Sequence, residues 1–240
     1  MPRDPAGPLR SFLDAADTPE VDLAAWVLQG MARGTLLPLG GGVVADLVAL
    51  GAPHACRPAA CTPSVAGGRR ARGHRSCCAD LVVTPSATER ARIEEVLDAP
   101  ELADDPRFAP EPSAVFDEDG ALRRPRGRCV LARSTPDGLR CALHRLEDAR
   151  GWPRGRVKPL PCRLFPLAVV ALDDDRVLLT ALHRRTSRAL TGRPAAAFPC
   201  LHLAGAPILA VSEAEILTEL LGRRSYRRLL AALTPEPSGG

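Results

Sequence analysis

The chain has 240 residues, 45% apolar and 25% charged, enough for a real core in one large domain or two small ones. Aromatics are only 3%, which argues against the base-stacking platforms that grip single strands. No apolar run approaches the ~20 residues of a membrane helix.

In chain order, 1–20 reads as a loose polar segment rich in proline. Residues 23–31 and 43–50 have helical apolar spacing, and Gly40-Gly41-Gly42 separates them as a turn. The stretch 57–76 is irregular, rich in Pro, Gly and Arg. Ser86-Ala87-Thr88-Glu89 is a capping box, opening a helix that buries Ile93, Val96 and Leu97 and ends near Pro100. Residues 101–120 are acidic and predict a surface connection ending in an Asp119-Gly120 turn. A short strand is predicted over 128–133, with a hairpin at Asp137-Gly138 into 139–143. The clearest strand pair is 164–172 with 177–182, turning at Asp173-Asp174-Asp175. Ser212-Glu213-Ala214-Glu215 is a second capping box. It precedes an apolar stripe of Ile216, Leu217, Leu220 and Leu221, which Gly222 breaks and Tyr226, Leu229, Leu230 and Leu233 resume. The expected fold is α+β: an irregular cysteine-rich metal-binding centre with a short antiparallel sheet, flanked by helices. One domain spans 21–233, and 234–240 is a polar tail.

Charge is uneven. Residues 81–120 carry 11 acidic and 3 basic side chains, whereas 121–165 carry 12 basic and 3 acidic. Of 32 basic residues only Lys158 is a lysine, an excess of arginine that reads as codon bias without function of its own. The opening Met1-Pro2-Arg3-Asp4-Pro5 lacks a signal peptide's basic head and apolar stretch, so the expected compartment is the cytoplasm. Thiols stay reduced there, and 8 cysteines then point to metal or redox chemistry rather than disulfides.

Seven of the 8 cysteines lie in the basic segments 51–80 and 121–165. They are Cys56, Cys61, the adjacent pair Cys77-Cys78, Cys129, Cys141 and Cys162; Cys200 stands apart. No C-x2-C knuckle, ferredoxin run or thioredoxin motif occurs. Cys162 lies within Lys158-Pro159-Leu160-Pro161-Cys162-Arg163-Leu164-Phe165-Pro166-Leu167. The two prolines predict an extended approach to it, and Phe165 and Leu167 an apolar wall behind its sulfur.

Cys77-Cys78, Gly127-Arg128-Cys129, Gly138-Leu139-Arg140-Cys141-Ala142-Leu143-His144 and the 158–167 block together resemble the bacterial zinc- or iron-chelating domain family, the CxxCxxCC-type cysteine-cluster proteins. The resemblance spans roughly 56–182, and Pro159-x-x-Cys162-x-x-Phe165-Pro166 is its most specific block. The family's opening CxxCxxCC is missing, because an arginine-rich insertion separates Cys61 from Cys77. The resemblance implies metal binding and, for some relatives, an iron–sulfur cluster.

The expected ligands are therefore Cys78, Cys129, Cys141 and Cys162, then Cys77, then Cys56 and Cys61. They would hold zinc or a [4Fe–4S] cluster as thiolates, because soft sulfurs suit both. Adjacent cysteines diverge in extended backbone, which makes one of the Cys77-Cys78 pair a supporting or redox thiol. Cys200 reads as a small buried hydrophobe. His54, His74, His144 and His202 lie within three residues of a cysteine and rank below the thiols, and His183 beside two arginines reads as solvated.

Two rival readings remain. One is an iron–sulfur enzyme of redox or protein-methylating type, the latter through resemblance only. The other is nucleic-acid binding through Arg69-Arg70-x-Arg72 and Arg123-Arg124-x-Arg126-x-Arg128, against which stand the acidic 81–120 and the scarce aromatics. No G-x-S-x-G, H-E-x-x-H, G-x-G-x-x-G or Walker pattern supports a hydrolase or a nucleotide site.

Overall fold

The computed structural model describes residues 24–56, 77–103, 110–135, 138–172, 175–183, 186–187, 194–201 and 203–234. The predicted loose segment 1–20, the stretch 57–76 and the tail beyond 234 lie outside the described residues. The elements used below are α1 (Ala24–Ala32), β1 (Leu36–Gly40), β2 (Val43–Asp46), α2 (Leu47–Leu50), α3 (Cys77–Asp80), α4 (Ala87–Glu94), α5 (Pro100–Ala103), α6 (Pro112–Val115), β3 (Ala132–Thr135), β4 (Gly138–Cys141), α7 (Ala142–Ala149), α8 (Leu160–Leu164), β5 (Leu167–Ala171), β6 (Val177–Ala181), α9 (Leu209–Ser212) and α10 (Ala214–Leu233). The fold is α+β. Residues expected to share one domain divide into two compact units: Met1–Ala55, Pro166–Ala196 and Cys200–Gly240 in the first, Cys56–Phe165 and Ala197–Pro199 in the second. No described helix is long and apolar enough to cross a membrane.

The first unit is built on a four-stranded mixed sheet in the order β1-β2-β6-β5. The predicted pair is present as β5 and β6, antiparallel from Leu167↔Ala181 to Ala171↔Val177. All five β6 residues are buried, which is why the strand reads as an unbroken apolar run. The helix expected over 43–50 is replaced by β2 followed by the short α2. β2 runs antiparallel to β1 and parallel to β6, and its four residues are all buried. Its partner strand lies far along the chain, so local spacing favoured the wrong element. The helix starts only at Leu47, where Asp46 Oδ1 accepts the Val48 and Ala49 N–H groups at 3.1 Å. Gly40, Gly41 and Gly42, with φ of 91°, 59° and 79°, form the β1–β2 turn rather than a helix separator.

Gly222 (φ 73°, ψ 156°) interrupts α10 as expected, between the buried Leu220 and Leu221 on one side and the buried Leu229 on the other. The second capping box does not form. Ser212 ends α9 and donates its hydroxyl to the Leu209 carbonyl at 3.2 Å, and α10 begins without a side-chain cap.

In the second unit the Ser86–Glu89 capping box is present, with Ser86 Oγ accepting the Glu89 N–H and Glu89 Oε2 accepting the Ser86 N–H. Ile93, Leu102, Val115, Leu143 and Leu146 are fully buried in its core. Residues 101–120 are therefore more than a surface connection: α5 and α6 carry Leu102 and Val115 inward, and Phe116 follows them. The expected hairpin forms as β3 with β4, later than the predicted 128–133, and the chain turns helical at Ala142 instead of staying extended to 143.

Candidate functional site

Five thiols line one cavity of about 50 Å³ in the second unit: Cys77, Cys78, Cys129, Cys141 and Cys162. A water needs about 10–15 Å³ on the same measure, so several water-sized occupants fit. Cys77 and Cys78 come from α3, Cys129 from the loop before β3, Cys141 from the end of β4, and Cys162 from α8. The extended backbone expected for Cys77-Cys78 is not what forms. The pair lies in a helical turn, where adjacent residues stand about 100° apart rather than on opposite faces. Both reach the cavity, with Sγ atoms 3.9 Å apart. The Cys129 N–H donates to the Cys78 carbonyl at 3.0 Å and ties the loop to α3.

Cys162 also differs from expectation. Pro159 is extended (φ −60°, ψ 147°), but it caps a helical turn in which Pro161 and Cys162 sit. Pro161 occupies the first turn, where its missing N–H costs nothing. The apolar cavity wall comes from residues such as Leu81, Val83, Leu122 and Leu131 rather than from Phe165 and Leu167.

Two carboxylates hold the segment that leads into Cys162. Fully buried Glu147 on α7 accepts three backbone N–H groups at Oε1: Gly155 at 3.1 Å, Val157 at 2.9 Å and Lys158 at 2.9 Å. Its Oε2 is buried without a hydrogen-bond partner among the described residues. Glu89, besides closing the capping box, accepts the Leu160 N–H at Oε1, 2.6 Å away. Sequence reasoning missed both roles. The only hint was an acid at 147 in a strongly basic segment.

The electrostatics divide the thiols. The hydrogen bond from the Cys78 thiol, aided against burial by the Lys158 ammonium, brings Cys77 down to about 7. That same hydrogen bond, with burial and the neighbouring thiols, drives Cys78 far up. Burial and the nearby Cys141 push Cys129 up to about 11, and burial raises Cys141 and Cys162. Burial pulls Lys158 down, but Cys141, Cys162, Cys77 and Cys78 outweigh it and hold the ammonium above its ordinary range. Cys77 is thus lowered while the other four thiols are raised.

The remaining candidates fall elsewhere. Cys56 is exposed and does not line the cavity, and Cys61 lies outside the described residues. Cys200 is buried in the first unit. His144 lies 3.7 Å from Asp148, and His74 and His202 are outside the described residues. His54 is buried against Ser212 Oγ (2.9 Å) and Glu213 (3.3 Å). His183 is not merely solvated: its Nε2 lies 3.0 Å from Oδ2 of the fully buried Asp46, which also accepts from Thr180 Oγ1 at 2.7 Å. Those bonds offset the burial that would raise Asp46 and leave its carboxyl below the usual range. In the arginine-rich stretch, Arg123 donates to the Ser113 carbonyl, Arg128 to Ser134 Oγ, and Arg124 lines the thiol cavity. Arg69, Arg70 and Arg72 lie outside the described residues.

Among the described residues, no group of three His, Cys, Asp or Glu side chains is positioned to hold a metal ion. What fits a soft metal is the chemistry of the donor set, five thiols facing one cavity beside an ammonium, rather than a finished coordination geometry. No protein-family model, curated protein or solved structure matches the chain.

Proposed function

We propose that the chain is a cysteine-cluster protein of the zinc- or iron-chelating kind, acting in the reducing cytoplasm, and that Cys78, Cys129, Cys141 and Cys162, with Cys77 beside them, bind zinc or an iron–sulfur centre as thiolates. The observation that carries this reading is the meeting of five thiols from four separate chain segments on one cavity. Free cysteines that merely fill a core have no reason to face a common space. Zinc and an iron–sulfur cluster each take four thiolates, so the thiol count does not separate them, and the cavity has room for more than one small ion. Bound there, such a centre would supply a redox couple or a structural clamp. The chain's own part is to surrender thiol protons, balance the sulfur charge with Lys158 and Arg124, and keep an apolar wall around the sulfurs.

The test is metal and sulfide analysis, with a visible spectrum, on protein purified without oxygen. A brown protein with about four irons and four labile sulfides per chain supports the iron–sulfur form. A colourless protein with about one zinc supports the zinc form. A folded protein with neither, and with all thiols titratable, overturns the proposal.

A further inference from the structure

Lys158 is the only lysine among 32 basic residues, and it lines the thiol cavity. Where the two residues are interchangeable, a composition this skewed favours arginine, so a lone lysine marks a position where arginine does not serve. The two side chains differ in ways a small cavity detects. An ammonium is a compact point charge with three rotatable donors, whereas a guanidinium is a wide planar fork. In about 50 Å³, the fork takes space that an occupant needs.

The position is also built. Glu147 Oε1 grips the N–H groups of Gly155, Val157 and Lys158 itself, and Glu89 Oε1 grips that of Leu160. Two carboxylates, one of them fully buried, thus immobilise the backbone on both sides of the Lys158 side chain. The other cation of the cavity is placed differently: Arg124 donates through Nη2 to the Gly127 carbonyl and acts on Cys129.

We infer that Lys158 is a positioning residue, the resident counter-cation of the thiol cavity, and that this task requires an ammonium rather than a guanidinium. The inference rests on the proposed metal-binding reading. Four thiolates around Zn²⁺ or around an oxidised [4Fe–4S]²⁺ core leave a net charge of −2. One ammonium in the cavity halves that charge without adding bulk.

The experiment compares wild type, K158R and K158Q, loaded with zinc or reconstituted with iron and sulfide. Affinity is read by competition with a chelator, and the melting temperature of each metal-free protein is recorded. Both variants are expected to bind at least about tenfold more weakly, in the range seen when partners of metal ligands are removed. Their metal-free melting temperatures stay within about 2 °C of wild type, a shift below ~1 kcal/mol for a chain of this size. K158R binding as tightly as wild type overturns the inference and leaves metal binding intact. Metal-free melting lowered well beyond that margin in both variants shows a purely structural lysine and overturns it too. Wild type that takes up neither zinc nor iron overturns the reading beneath it, and the lysine's role with it. A second readout uses the uniqueness of the residue: Lys158 is the only side-chain amine, so its acylation by an amine reagent is followed at one site by mass spectrometry. Loading is expected to slow that acylation about tenfold or more, and equal rates in loaded and metal-free protein overturn the inference.

Discussion

Glu147 and Lys158 are joined carboxylate to backbone: Glu147 Oε1 accepts the Lys158 N–H at 2.9 Å, with the N–H groups of Gly155 and Val157 on the same oxygen. A single buried side chain therefore shapes the loop that delivers the cavity's ammonium. Replacing Glu147 by alanine strands three backbone donors, two of them partly buried, at about 1–3 kcal/mol for each that stays dry. The expected loss is about 1–3 kcal/mol, set by the buried Val157 N–H, and it is read by urea unfolding. E147Q keeps an acceptor oxygen and is expected to lose less. Equal stability of E147A and wild type refutes this account of the loop.

Cys162 and Cys200 test the proposed ligand set. C162S is expected to lose most bound metal, because a hydroxyl does not replace a soft thiolate. C200S removes a thiol that is buried in the first unit and absent from the cavity, so metal content per folded chain stays near wild type. Full occupancy in C162S would remove Cys162 from the ligand set.

His54 makes stability depend on pH. Burial holds it down to about 4, against 6.5 for a free histidine. His54 Nδ1 lies 2.9 Å from Ser212 Oγ and 3.3 Å from Glu213 Oε1, and burial is what disfavours the charged ring. Between pH 6.5 and about 4 the unfolded chain binds a proton that the folded chain refuses. Stability from this group is complete above 6.5 and falls as the pH drops toward 4, by roughly 3 kcal/mol in all. Urea unfolding across that window should show the slope in wild type and a flatter line in H54Q. Parallel lines would mean that His54 takes up a proton as readily folded as unfolded.

Gly222 sits at φ 73°, ψ 156°, a region open essentially only to glycine. A Cβ there meets nothing within 4 Å, so G222A probes backbone strain alone. The expected cost is about 1–3 kcal/mol of unfolding free energy. A stabilised variant would show that α10 straightens without penalty.

Features set by neighbours in the chain were legible in the sequence. Ser86 and Glu89 cap a helix because both bonds close within one turn, and β5 pairs with β6, its near neighbour in the sequence. Gly222 breaks its helix because it has no side chain to forbid the kink. The thiols of the cavity were legible too, as residue types in a pattern: Cys77, Cys78, Cys129, Cys141 and Cys162 stand out in the sequence and line one space in the fold. The rest depended on contacts between distant segments. Val43–Asp46 became a strand because β6, far along the chain, offers it a parallel edge and complete burial. His183 found Asp46, and Ser212 turned to Leu209 and His54 instead of capping α10. Above all, the sequence could list Glu89, Glu147 and Lys158 but not relate them. Only the fold brings two carboxylates onto the backbone beside one lysine, because hydrogen bonds of under 3 Å across long sequence separations exist only once the chain has packed.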